Sequence, residues 1–259
     1  MTEVLTQVLA DLAAEGDRLE ALVAGLDDDG WRTPTPAVGW DVATQVAHLT
    51  WTDEVALAAA TDKDAWDAVV LEAIADPGGY VDRCAYSLAR EPDLLDRWRA
   101  ARTDLRKALG AHPRGEKMPW FGPPMSATSM ATARLMETWA HGLDVHEALG
   151  APVEDTDRIR HVAHLGVRTR SFAFSVHGLE APSEEFRIDL VAPSGDVWSW
   201  GPENAAQTLT GSAGDFCRLV TQRVHRADTD LVAAGADVDR WLDIAQAFAG
   251  QPGEGRGAR

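Results

Sequence analysis

The chain has 259 residues, 41 Asp and Glu against 24 Lys and Arg, and a formal charge of −17. With only three lysines (Lys63, Lys107, Lys117) it has little to neutralise phosphates, which disfavours nucleic acid and anionic membranes as partners. A hydrophobic fraction of 45% supports a sizeable core, yet no apolar run approaches the length that spans a bilayer. The expected partner is a small molecule, and local arginines remain available for an anionic one.

The N-terminal stretch places Val4, Val8, Leu9, Leu12, Leu19 and Leu22 on one helical face and lacks a basic n-region. It reads as an amphipathic helix over 2–26, ended by Asp27-Asp28-Asp29-Gly30, and not as a signal peptide. A Pro-broken loop is expected over 31–38. Helices are expected over 39–60, 63–74, 80–89 and 91–110, with Pro77-Gly78-Gly79 as a break. The loop 112–124 holds four prolines and the pair Trp120-Phe121, and a long helix follows over 126–149, with Gly150 suited to its C-terminal cap. Long helices with these breaks predict an up-and-down bundle.

After Ala151-Pro152 the pattern changes. A helix over 155–175 precedes alternation at Phe186, Ile188 and Leu190, a Pro193-Ser-Gly-Asp196 turn and a strand at 197–200, which together predict a hairpin. A third strand at 205–210 and helices at 213–224 and 238–248 complete a smaller α+β domain. The expected organisation is a helical domain over 1–151, an α+β domain over 152–250 and a flexible tail over 251–259. Cys84 and Cys217 match no metal or redox spacing, and a cytoplasmic setting is expected.

Residues four apart stand on the same face of a helix, so Glu137 and His141 can share one ion. A third ligand is needed, and His48 is the best candidate. Two histidines and a carboxylate leave a position open on zinc, as catalytic sites do. The face of Glu137 carries Met130, Ala133, Arg134, His141, Asp144 and Ala148, whereas His146 falls nearly opposite. The face of His48 carries Asp41, Gln45, Trp51, Thr52 and Val55. The plainer reading is a surface Glu–His pair and a hydrogen-bonded core histidine. His161 and His164, three apart, have no carboxylate beside them and make a weaker metal candidate.

Gly39-Trp-Asp-Val-Ala-Thr-Gln-Val-Ala-His-Leu49, with Arg134-Leu-Met-Glu-Thr-Trp-Ala-His-Gly-Leu-Asp-Val-His146, resembles the mycothiol-dependent maleylpyruvate isomerase family. The resemblance implies a mainly α fold: an N-terminal DinB-like four-helix bundle and a C-terminal α+β domain likened to sterol-carrier proteins. It implies zinc or another divalent metal on His48, Glu137 and His141, and mycothiol as cosubstrate. The thiolate would attack a small electrophile, giving thiol-dependent isomerisation or S-transfer. In this reading Arg134 and Asp144 orient the ligands, Asp144 and Arg223 are the catalytic candidates, and Trp120, Phe121 and Arg134 wall the thiol or substrate pocket. The stretch Leu219-Val-Thr-Gln-Arg223 departs from the family's Leu-x-Gly pattern, which weighs against the isomerase substrate itself. Some relatives carry a label for modified-base formation in transfer RNA, against which the acidic charge argues. A metal-dependent hydrolase and a non-enzymatic metal- or ligand-binding protein are the competing classes. Either a monomer or a homodimer fits.

Overall fold

The computed structural model describes residues 2–250, 252–253 and 255–258. It is 57% helical, and among the described residues eleven helices accompany one four-stranded sheet, so the fold is mainly α. One compact unit ends at Val153 and a second begins at Glu154. The expected tail includes Gln251, Glu254 and Arg259, which lie outside the described residues.

Four long helices make the first unit: α1 (Glu3–Val23), α3 (Val42–Thr61), α6 (Leu94–Ala111) and α7 (Ala127–Ala148). Side chains cap three of their N-termini and satisfy backbone donors that have no partner within the helix. Thr2 Oγ1 accepts from Leu5 N–H at 3.2 Å, Asp41 Oδ1 from Thr44 N–H at 2.8 Å, and Ser126 Oγ from Ser129 N–H at 3.1 Å. Helix α1 buries Leu5, Val8, Leu9, Leu12, Leu19 and Val23, a helical stripe, and packs along α7. Helix α3 packs along α6 and also on α7, and every residue from Val42 to Thr50 is buried. A helix buried all round is a central one. The smaller α2 (Asp28–Trp31), α4 (Lys63–Ala75) and α5 (Tyr80–Leu88) fill the connections. Helix α2 replaces the start of the expected loop, because Asp27 caps it through Gly30 N–H at 2.9 Å.

Helices α3 and α7 run antiparallel: Gln45, early in α3, meets His141, late in α7, whereas Asp53 meets Arg134 one or two turns away on each helix. The Arg134–Asp53 pair is buried, with side chains 2% and 5% exposed and Nε donating to Oδ1 at 2.8 Å. Burial pushes the Asp53 carboxyl above its ordinary range, and Arg134 pulls it back in part. Arg134 Nη2 finds no hydrogen-bond partner among the described residues.

In the second unit the helix expected over 155–175 is three pieces: a 3-10 turn (Asp157–Ile159), α8 (Arg160–Arg168) and α9 (Arg170–Val176). The break falls at Thr169, whose hydroxyl donates to Gln246 C=O at 2.7 Å and also turns back on Leu165 and Gly166 carbonyls. Side-chain bonds of this kind compete with a continuing helix. The sheet has the order β2 (Val197–Trp200), β1 (Arg187–Val191), β3 (Thr208–Ser212), β4 (Val232–Ala234). β1 pairs antiparallel with β2 through the expected hairpin and parallel with β3, with Ile188 opposite Trp200 and Leu209. The edge strand β4 has three residues, two of them exposed, and so leaves no alternation to read. Ile188, Leu190, Trp198 and Leu209 are buried, as are Phe216 of α10 (Ala213–Val220) and Trp241 of α11 (Ala236–Ile244).

Helix α10 ends in a Schellman motif. Arg223 N–H bonds Arg218 C=O at 2.8 Å and Gln222 N–H bonds Leu219 C=O at 2.9 Å. This motif needs a left-handed residue, usually glycine. Here Gln222 takes it, at φ 61°. Its side chain accepts from Gly253 N–H at 3.2 Å.

Two stability outcomes follow. Asp53→Ala leaves a guanidinium buried without its partner and lowers unfolding free energy by about 3–5 kcal/mol, whereas Asp53→Leu with Arg134→Met costs clearly less. Equal losses in denaturant titrations would show that the ion pair is not the cause. Gln222→Gly relieves a left-handed side chain worth about 1–2 kcal/mol and loses one exposed hydrogen bond, so the melting midpoint of the second unit rises; an unchanged or lower midpoint contradicts this.

Candidate metal centre

The candidate site lies where α3 crosses the middle of α7. Glu137 and His141 share a face of α7, as their spacing requires, and α3 supplies His48. His141 Nε2 is 3.1 Å from Glu137 Oε2, and His48 Nε2 is 3.7 Å from the same oxygen. One possible ligand atom from each residue lies within 4.8 Å of the others. Donors bound tetrahedrally to zinc stand about 3.3 Å apart, so these two separations bracket that edge. The imidazoles are 11% and 12% exposed and the carboxylate 23%, which leaves one side accessible. The donor set fits zinc with a position to spare, and nitrogen with carboxylate oxygen suits other divalent ions as well.

Burial alone would push the Glu137 carboxyl up. The His141 and His48 imidazoles, both close to its oxygens, outweigh it and hold the group well below the usual carboxylate range. Glu137 is therefore an anion at neutral pH, ready to balance a cation.

Gln45 is fully buried, and its Oε1 is 2.5 Å from His141 Nδ1. Its Nε2 donates to Thr35 Oγ1 at 2.9 Å, and Thr35 Oγ1 donates to Trp40 C=O at 2.9 Å. The Trp40 ring stacks on His141 at 5.9 Å between centroids and meets His48 at 5.2 Å. Trp51 lies 6.1 Å from His48, with Tyr80 edge-on to it at 5.4 Å. His48 Nδ1 is buried without a hydrogen-bond partner among the described residues.

The structure gives other contacts to three of the expected site residues. The Arg134 guanidinium pairs with Asp53 inside the bundle. Trp120 and Phe121 pile onto Trp66 of α4, at 5.8 and 5.1 Å between centroids. Their loop closes on itself through paired Met118–Met125 hydrogen bonds, and Trp120 packs on the cluster that includes Ala127, Met130 and Ala131. Glu137 is six or more residues further along, about 9 Å or more of helix rise. The rings that contact the ligand trio among the described residues are Trp40 and Trp51.

Asp144 is buried one turn past His141. His146 lines a small cleft with Glu15, Arg18 and Trp139, away from the trio, and burial lowers its pKa with help from Arg18. Arg223 belongs to the second unit, where its Nη1 donates to Thr221 C=O at 2.7 Å. His164 is exposed and its Nδ1 accepts from Trp200 Nε1 at 3.3 Å.

Gln45 was visible in the sequence only as a member of the His48 face. Thr35 and Trp40 carry no periodic signal, because a loop brings them in.

Known proteins resemble this chain at both levels. The family model described as the mycothiol maleylpyruvate isomerase N-terminal domain matches residues 12–146, more than half of the chain. A second model, described as wyosine base formation, matches residues 182–234. Uncharacterized proteins from two strains of Mycobacterium tuberculosis are each 57% identical over 250 residues, covering 96% of this chain and 97% of theirs. Crystal structures of the mycothiol-dependent maleylpyruvate isomerase and of a histidine-to-alanine mutant share the fold. Their TM-scores are 0.58 and 0.60 at 16% and 14% identity, each covering 90% of this chain and 96% of the other. The chain belongs to the mycothiol maleylpyruvate isomerase N-terminal domain family.

Proposed function

We propose that this protein is a zinc-dependent enzyme that activates a low-molecular-weight thiol, mycothiol, toward a small electrophile. The observation that carries the reading is the convergence of His48, Glu137 and His141 on one partly accessible point. The family and its structural relatives, mycothiol-dependent maleylpyruvate isomerases, suggest the thiol and the isomerase class. When bound, zinc supplies a Lewis-acidic position that holds a thiol as thiolate at neutral pH, which a free thiol near pKa about 8.5 reaches only in part.

The protein's own groups do the rest. His48 and His141 offer neutral nitrogens, and Glu137 offers a charge that stays negative throughout the neutral range. Trp40 stacks on the His141 ring and meets His48 at a tilt, so it borders both imidazoles. Asp144, buried one turn beyond His141, is the group proposed to handle a proton. Addition of the thiol sulfur to an unsaturated carbon, bond rotation and expulsion of the same thiol give isomerisation. Retention of the carbon–sulfur bond gives S-transfer. RNA has no part in this proposal, since a chain at −17 offers little to a phosphate backbone.

Metal analysis tests the reading first. The wild type holds one equivalent of zinc, and His141→Ala weakens binding by more than the about 10–100-fold usual for outer-shell changes. Wild type that holds no metal when zinc is supplied sinks the proposal. The cobalt-substituted protein then develops a thiolate-to-metal absorption band on adding mycothiol. Metal binding without any thiol band removes the thiol chemistry and leaves the hydrolase class.

A further inference from the structure

We propose that Thr35 and Gln45 are positioning residues: they form a relay that fixes the proton of His141 on Nδ1 and so presents Nε2 to the site as a lone pair. The consequence for metal rests on the function proposed above, whereas the proton assignment stands without it.

The assignment runs outward from a backbone carbonyl, whose role is unambiguous. Trp40 C=O can only accept. Thr35 Oγ1, 2.9 Å away, therefore commits its single proton there. Thr35 N–H donates to the same carbonyl at 2.8 Å, which locks the residue. The Thr35 hydroxyl has only acceptor capacity left for Gln45, so the Gln45 atom facing it at 2.9 Å is the NH₂. The amide cannot flip without setting a carbonyl against a hydroxyl oxygen that has no proton to give. Gln45 Oε1 is thereby turned to His141 Nδ1 at 2.5 Å, and a carbonyl oxygen so placed demands Nδ1–H. A neutral imidazole has one N–H, so Nε2, 3.1 Å from Glu137, is bare.

This assignment opposes the local preference. Beside the Glu137 carboxylate alone, a neutral His141 would put its proton on Nε2 and donate to the oxygen. Gln45 is fully buried, so water does not offer its amide an alternative partner. The relay starts at the turn before α3, where Pro34 bridges Asp41 and Asp41 caps the helix, so its origin is fixed to the same helix that carries Gln45 and His48. His48 has no such device, since its Nδ1 is buried without a partner among the described residues. An amide acceptor, unlike a carboxylate, leaves His141 a neutral ligand of moderate basicity.

The tautomer can be read in the metal-free full chain by long-range proton–nitrogen correlation with labelled histidine, at a pH where the ring is neutral. His141 is assigned by its loss in His141→Ala. Wild type shows the Nδ1–H form, Gln45→Glu retains it, and both Thr35→Val and Gln45→Leu shift His141 toward Nε2–H. An Nε2–H wild type, or variants with the wild-type pattern, overturns the proposal. In a chelator competition Gln45→Leu binds zinc about 10–100-fold more weakly than wild type. Nδ1–H in a wild type that binds no zinc upholds the relay and removes the metal reading instead.

Discussion

The rest of the first unit depends on the antiparallel packing of α3 against α7. One seam carries the His48–Glu137–His141 cluster, the Gln45 bond to His141 and, a turn or two away, the Arg134–Asp53 pair. Polar groups seldom enter a bundle core without a partner, because an unmet hydrogen bond there costs the full desolvation of the group. The seam meets most of that constraint by pairing across helices, with His48 Nδ1 and Arg134 Nη2 left without a partner among the described residues, so a shift of either helix would break several polar contacts together. That requirement fixes the register of the two helices more sharply than apolar packing alone, which tolerates exchange of similar side chains.

The same seam explains why α3 reads as it does. Nine consecutive buried residues from Val42 to Thr50 leave it no solvent face over two turns. Gln45 and His48 are therefore held in low dielectric, where hydrogen bonds orient strongly. The loop before α3 is drawn into the site by the Asp41 cap and the Thr35–Trp40 contacts, and so supplies both a ring wall and a proton anchor. The geometry around the trio supplies the contacts on which the proposed proton position of His141 rests.

In the second unit, Thr221 stands where the Leu-x-Gly pattern has glycine, at φ −101°, and the left-handed residue is the next one. Gln222 occupies the left-handed position that closes α10, and its side chain gains a bond to Gly253. The backbone path into Arg223 is held by hydrogen bonds from Arg223 and Gln222 back to the helix, at the cost of strain that a glycine would not carry.

The sequence by itself determined the long helices, the hairpin and the shared face of Glu137 and His141, because periodicity and turn residues act locally. It also placed His146 on another face, since helical phase is local too. It did not show what Arg134, Trp120 and Phe121 touch, because membership of a face or nearness along the chain does not say what lies opposite. Asp53 on another helix and Trp66 on α4 claimed those side chains. The split of the 155–175 helix was hidden for the same reason, as Thr169 answers to Gln246 far along the chain. Only tertiary structure decided that His48 stands beside Glu137 and that Thr35 and Gln45 stand behind His141, because those contacts join segments whose separation in sequence carries no phase.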